Sequence, residues 1–168
     1  MSDVLNSEQL YEDAKKFLDF CWSESNTRRA MSEFADETEY QAIDNGGYRA
    51  VFYREDLAES DAVVKFPSKI HAPEESMEHN LDEYRAWESM TEEMSSDFAE
   101  VLDCGQEGNY LVQRKSEGKS LLGAFKLMVK YHYSHYPSGD LGFSNIGIVD
   151  GESVITDYAW GSIKEKNS

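Results

Sequence analysis

Residues 138–160, SGDLGFSNIGIVDGESVITDYAW, hold Asp140 and Asn145 five positions apart and Asp157 at the end of an apolar run. Carboxylate and amide oxygens suit a hard cation, and an aspartate beside a hydroxyl suits proton acceptance. Upstream, Gly46-Gly47 separates two apolar runs, Lys65 lies inside AVVKF, and Glu83 belongs to a helical stretch that follows. Phosphoryl transfer asks a protein mainly for positioning and charge neutralisation. It uses a glycine loop over the phosphates, a lysine on them, an acid to hold that lysine, oxygen ligands for Mg²⁺ and an aspartate near the attacking hydroxyl. The chain offers each of these in order. Each also has a plainer reading. Lys65 suits a wet strand edge, Asp82 and Glu88 compete with Glu83, the glycine pair suits a hairpin turn, Asp140 and Asn145 suit turns closed on their own backbone, and Asp157 suits a loop cap.

Elements that could position these residues follow from periodicity. SEQLYEDAKKFLDFCW, residues 7–22, places Leu10, Ala14, Phe17, Leu18, Cys21 and Trp22 on one helical stripe, with Asn6 or Ser7 as N-cap. A second helical stretch spans about Thr27 to Ala35. YQAIDNGGYRAVFYRED then reads as two strands around Asn45-Gly46-Gly47, whose glycines tolerate the positive φ of a tight turn. DAVVKFP is a third strand that stops at Pro67. From Ser76 to Met94, apolar residues Met77, Leu81, Tyr84, Trp87 and Met90 recur at three and four, a helix. DFAEVLD and NYLVQRK supply two strands around the Gly105 to Gly108 turn. SLLGAFKLMVKYHYSHY is a helix carrying Leu121, Leu122, Phe125, Met128 and Val129, and strands near 145–149 and 153–157 join at Asp150-Gly151, a strong hairpin signal. The order predicts an α+β fold rather than alternating βαβ units.

Composition bounds the reading further. A chain of 168 residues matches one ordinary domain, and 40% hydrophobic and 12% aromatic content predict a folded core. Cys21 and Cys104 lack metal or redox spacing, His71, His79, His132 and His135 form no ligand pair, and neither a signal peptide nor a membrane span is evident; a cytoplasmic protein is expected. With 33 acidic against 16 basic residues, the net charge of −17 disfavours direct binding to nucleic acid or anionic membrane. EGKS at 117–120 does not complete a phosphate-binding loop, because Gln113 stands where its first glycine belongs.

GDLGFSNIGIVDGESVITDYAWG and AVVKF together resemble the protein-kinase-like superfamily, in particular the catalytic loop and lysine strand of its aminoglycoside and choline phosphotransferase branch. The resemblance covers roughly residues 40–160. It implies a kinase-like N-lobe, a five-stranded antiparallel sheet plus one helix over residues 40–115, preceded by a helical segment 1–39. A reduced helical C-lobe with a terminal β-hairpin would occupy 116–168, all within one compact domain. It also implies ATP and Mg²⁺ as cofactors, with Gly46 and Gly47 over the nucleotide, Lys65 on its α and β phosphates, Glu83 paired to Lys65, Asp140 as catalytic base, and Asn145 and Asp157 as Mg²⁺ ligands.

The sequence departs from that family's pattern in three places. The usual third glycine of the loop is missing from the neighbourhood of Tyr48 and Ala50, Ser138 stands where His is usual, and Asp157 is followed by Tyr158-Ala159. Only 11 residues follow Asp157. The resulting expectation is a minimal kinase-like protein, a pseudokinase or a weak phosphotransferase acting through protein interaction. The acidity supports a different expectation, a small acidic inhibitor, viral or otherwise, that presents carboxylates in place of phosphates to a basic or nucleic-acid-binding partner; a viral source would place it in a host cytoplasm. A third reading makes the acidity an adaptation to a saline cytoplasm.

Overall fold

The computed structural model describes residues 6–24, 26–68, 72–132 and 143–158. The fold is α+β. Its main sheet has five antiparallel strands in the order β1(Gln41–Asn45), β2(Arg49–Tyr53), β3(Ala62–Pro67), β5(Leu111–Arg114), β4(Val101–Cys104). A separate hairpin pairs β6(Ile146–Val149) with β7(Glu152–Ile155). Its turn has Asp150 and Gly151 at φ 51° and 85°, the doubly left-handed geometry that the Asp-Gly pair predicts.

Two helices cover one face of the sheet, α1(Ser7–Ser23) and α2(Thr27–Asp36). Asn6 caps the first by accepting from the Gln9 amide at 3.3 Å, and Asn26 caps the second by accepting from the Arg28 amide at 2.9 Å. Phe17 of α1 and Phe34 of α2 pack edge-on to Phe52 of β2, and Phe66 of β3 and Tyr40 complete the aromatic cluster. All five are buried, and an aromatic ring removed from water contributes about 1.5–3 kcal/mol. Trp22, expected on the same stripe of α1, is instead 64% exposed, because the packed face ends with Cys21.

Strand alternation divides the sheet's residues between two environments. Ala50, Phe52, Ala62, Val64, Phe66 and Val112 join the aromatic cluster. Their alternate neighbours Arg49, Val51, Val63, Lys65 and Gln113 line a cleft on the opposite face. Register holds this division in place: Val51 pairs with Lys65 and Lys65 with Leu111, and a slip of one residue would move Lys65 into the aromatic core.

On the cleft side lie α3(Pro73–Ser89), the short α4(Glu92–Ser95) and α5(Leu121–His132). The single helix expected from Ser76 to Met94 is thus two, broken where Met90 turns extended and Thr91 caps α4. A second core gathers Phe98, Leu111, Leu127, Tyr131, Ile146, Ile155 and Tyr158. The hairpin docks through Ala99 N–H to the Ile155 carbonyl at 2.9 Å and Ile155 N–H to the Asp97 carbonyl at 2.8 Å. Helix α5 forms as its periodicity predicts, but the apolar residues that mark it lie on its open face. Leu121, Leu122 and Phe125 are 78%, 67% and 66% exposed, and Met128 and Val129 are exposed as well, while Ala124, Leu127 and Tyr131 form the buried face. No helix among the described residues is long and apolar enough to cross a membrane.

Candidate functional site

The residues of α3 that are fully buried are polar. Ser76, Asn80 and Glu83, spaced four and three apart, form the packed stripe, whereas Met77, Leu81, Tyr84 and Trp87 are half-buried around it. A helix that turns a carboxylate toward a sheet must meet cations there, since an unpaired buried charge is strongly unfavourable. Lys65 and Arg49 meet it. Lys65 Nζ donates to Glu83 Oε1 at 2.9 Å, and Arg49 Nη1 donates to Glu83 Oε2. Gln113 Nε2 donates to Glu83 Oε1 at 2.9 Å, so this wholly buried carboxylate has three donors.

The network continues to the hairpin. Lys65 Nζ also donates to the Thr156 carbonyl at 2.8 Å, and Arg49 Nη2 donates to Asp157 Oδ1 at 2.5 Å. Asn80 braces both strands: its Oδ1 accepts from Arg49 at 3.3 Å, and its Nδ2 donates to the carbonyls of Lys65 and Gly108 at 3.3 and 2.8 Å. Gly108 sits at φ 74°, and a Cβ there would come within 2.1 Å of the Met77 carbonyl oxygen, so only glycine lets this turn close on α3.

Burial pushes the Lys65 ammonium below its ordinary value; the Glu83 charge opposes that and the Arg49 charge adds to it. Arg49 stays cationic, as a guanidinium does in proteins. His79, stacked on Tyr48 with ring centroids 4.1 Å apart, is shifted down by burial and by the Arg49 charge, so the neutral imidazole is the favoured form at neutral pH.

In front of this network lies a cleft of about 1060 Å³. Arg49, Lys65, Arg114, Lys115 and Lys119 line it, against the acids Asp44 and Asp157. A chain with 33 acidic and 16 basic residues thus sets five of its cations and two of its acids around one opening. The Lys115 ammonium rests 4.7 Å over the Tyr53 ring, and the Lys119 ammonium 5.6 Å over the Phe143 ring. Arg49 and Lys65 are balanced by Glu83 and Asp157, and Arg114 Nε lies 3.5 Å from Glu100, so Lys115 and Lys119 carry most of the positive charge that the cleft presents in a protein negative as a whole.

The sequence-predicted residues are placed as follows. Lys65 and Glu83 form the expected ion pair, and Glu83 rather than Asp82 or Glu88 faces the sheet. Lys65 is not at a wet edge: β3 is flanked by β2 and β5, and the side chain is buried. Asn145 and Asp157 both line the cleft, joined through the Thr156 N–H, which donates to the Asn145 carbonyl at 2.8 Å. Gly46 and Gly47 line the cleft too, but neither has positive φ; the turn closes through Gly46 N–H to the Arg49 carbonyl at 2.8 Å, and a Cβ on Gly47 would meet open space. The positive-φ reason for this glycine pair is therefore corrected. Asp140 lies outside the described residues.

Sequence reasoning missed Arg49, Asn80 and Gln113. The signal for Arg49 was a charge at an alternating position of RAVFY, and for Asn80 its place one helical turn before Glu83.

Mg²⁺ demands near-ideal octahedral oxygen coordination and is usually held by one or two carboxylates together with substrate phosphates. Here Glu83 is sealed behind the cleft, and Asp157 already accepts from Arg49 through one oxygen. The fixed guanidinium stands beside the carboxylate that such an ion would need, so the residues present fit an anion better than a resident divalent cation. A scan against protein-family models and a search of the curated proteins each find no match for the chain.

Proposed function

We propose that this chain is a minimal kinase-like protein that holds a nucleotide by its phosphates in the cleft between β2, β3 and the β6–β7 hairpin, and that acts through protein interaction as a pseudokinase or weak phosphotransferase. The observation that carries the reading is the gathering of Arg49, Lys65, Arg114, Lys115 and Lys119 around one cleft of a strongly acidic chain. A polyphosphate is the ligand class that such a set neutralises, and Lys65, held by the buried Glu83, supplies a point charge to the cleft wall. Gly46 and Gly47 also line the cleft, and neither puts a side chain into it. The exposed Leu121, Leu122 and Phe125 on α5 support the protein-interaction half of the proposal, since contiguous apolar surface of that kind marks docking sites.

Thermal unfolding in the presence of ATP tests the nucleotide role, because a ligand that binds only the folded state raises Tm with concentration. Millimolar ATP raises Tm in the native chain and leaves it unchanged in Lys65→Met, whose fold keeps Glu83 bonded to Arg49 and Gln113. No shift in the native chain, or an equal shift in Lys65→Met, overturns the reading.

The net charge of −17 motivates a second reading, an acidic inhibitor of a basic partner. It places the binding surface on the acidic exterior rather than in the cleft. Capture of a basic nucleic-acid-binding protein that weakens steeply with salt supports it; capture indifferent to salt counts against it.

A further inference from the structure

We infer that the cleft takes its polyphosphate without a divalent cation, the Arg49 guanidinium standing where the ion would otherwise bridge protein and phosphate. The inference rests on the nucleotide reading above and adds a metal-free mode of binding to it.

Three features support it. First, Arg49 spends its two terminal nitrogens on two different carboxylates, Nη1 on Glu83 and Nη2 on Asp157, so a single cation links the buried acid of α3 to the acid that follows the hairpin. A bridging Mg²⁺ would make the same kind of link between acids and phosphate oxygens. Second, the guanidinium is locked. Its side chain is 7% exposed, and Asn80 Oδ1 accepts from it at 3.3 Å as a third partner. It cannot lose its proton. A divalent ion arriving at Asp157 would therefore meet a permanent positive charge next to its ligand. Third, Arg49 and Lys65 both line the cleft while sharing Glu83, with Lys115 and Lys119 further out. The protein thus sets two buried cations behind the cleft and two further lysines on it from its own sequence, and a free nucleoside triphosphate brings more negative charge to them than its magnesium complex does.

Calorimetric titration of ATP into the full chain, in EDTA and then in millimolar Mg²⁺, tests the inference, with Mg²⁺ alone as a third titrant. The expected result is binding in EDTA at an affinity equal to or above that in Mg²⁺, and no heat from Mg²⁺ alone. Binding at least about tenfold tighter in Mg²⁺ than in EDTA overturns the inference and leaves the nucleotide reading standing. Binding in neither buffer removes both.

Two variants distinguish replacement of the ion from a general attraction. Arg49→Ala loses at least about tenfold in affinity in EDTA and regains part of it in Mg²⁺, because the guanidinium no longer stands beside Asp157. Arg49→Lys, which keeps one charge beside Glu83, keeps binding in EDTA and serves if the alanine variant does not fold. An Arg49→Lys protein that binds ATP only with Mg²⁺ overturns the inference.

Discussion

Among the described residues an ion network is buried on each side of the sheet, and the two are built from similar parts. On the α1 side, Asp13 accepts from the Tyr40 hydroxyl at 2.7 Å, from Arg54 Nη1 at 2.9 Å and from Gln9 Nε2 at 2.9 Å. Arg54 also pairs with Asp56 through its Nε and lies 4.8 Å from the Tyr40 ring. On the α3 side, Glu83 holds Lys65, Arg49 and Gln113. The first network has more carboxylates than cations and borders a hollow of about 340 Å³. The second balances Lys65 and Arg49 against Glu83 and Asp157 and opens on a cleft about three times as large, whose rim adds further cations. A buried ion pair is weak evidence of function by itself. What sets the second apart is the excess of positive charge on concave surface in front of it.

The comparison predicts how each network fails. The largest effect belongs to Glu83→Ala, which leaves Lys65 and Arg49 buried without their shared partner; it costs about 3–5 kcal/mol, a fall in Tm of about 6–20 °C. Asp13→Ala leaves Arg54 its bond to Asp56 and costs less, about 1–3 kcal/mol. Denaturant midpoints of the two variants check this. An Asp13 variant weaker than the Glu83 variant would reverse the ranking and make the aromatic-side network the main anchor.

Alkaline titration separates the two sides next. Burial pushes the Cys21 thiol, beneath the aromatic cluster, up to about 12. It does the same to Cys104, and the Tyr110 phenol, raised by burial and by Asp103, also reaches about 12. Tyr40 is raised by burial and by its bond to Asp13. For raised groups the stabilising contribution is complete below the unfolded values, about 9 for thiols and 10 for phenols, and is lost as pH climbs through the folded ones. Lys65 has the opposite sign. Its folded value is lowered, so its contribution is present above 10.5 and is lost as pH falls through the folded value. Tyr158 is raised by burial as well, and five such thiols and phenols against Lys65 make the net slope negative: midpoints fall steadily from about pH 9 to 12, and Lys65→Met makes that fall steeper. A flat profile would refute the assignment of buried thiols and phenols.

The smallest effect is expected where neither network is involved. Arg85 pairs with Glu78 at 2.7 Å on the open face of α3, both side chains more than half exposed, and Arg85→Ala changes stability by under about 1 kcal/mol. A larger loss would mean that exposed pairs on α3 matter as much as the buried stripe two residues away.

Legibility differed between these regions for physical reasons. Helices α1 and α2 and the Asp150-Gly151 hairpin follow from local rules, a repeat of 3.6 residues, an Asn cap and a turn that needs positive φ, and they stand where the sequence predicts them. On α5 and α3 the same periodicity gave the helices but not their packed faces, because it reports which residues are apolar and not which of two faces meets a neighbour; Ala124, Leu127 and Tyr131 pack on α5 while the larger Leu121, Leu122 and Phe125 remain in solvent, and on α3 the packed stripe is polar.

By itself the sequence determined the α+β order of elements, the alternation that puts Lys65 opposite Phe66, and the candidates Lys65, Glu83, Asn145 and Asp157. Tertiary structure alone decided that Arg49 joins them. Its partners lie 34 and 108 positions away, on a helix and beyond a hairpin, and no local pattern reports a charge balance between groups so far apart. Burial creates that balance, because a carboxylate taken out of water is stable only beside the cations that the fold delivers to it.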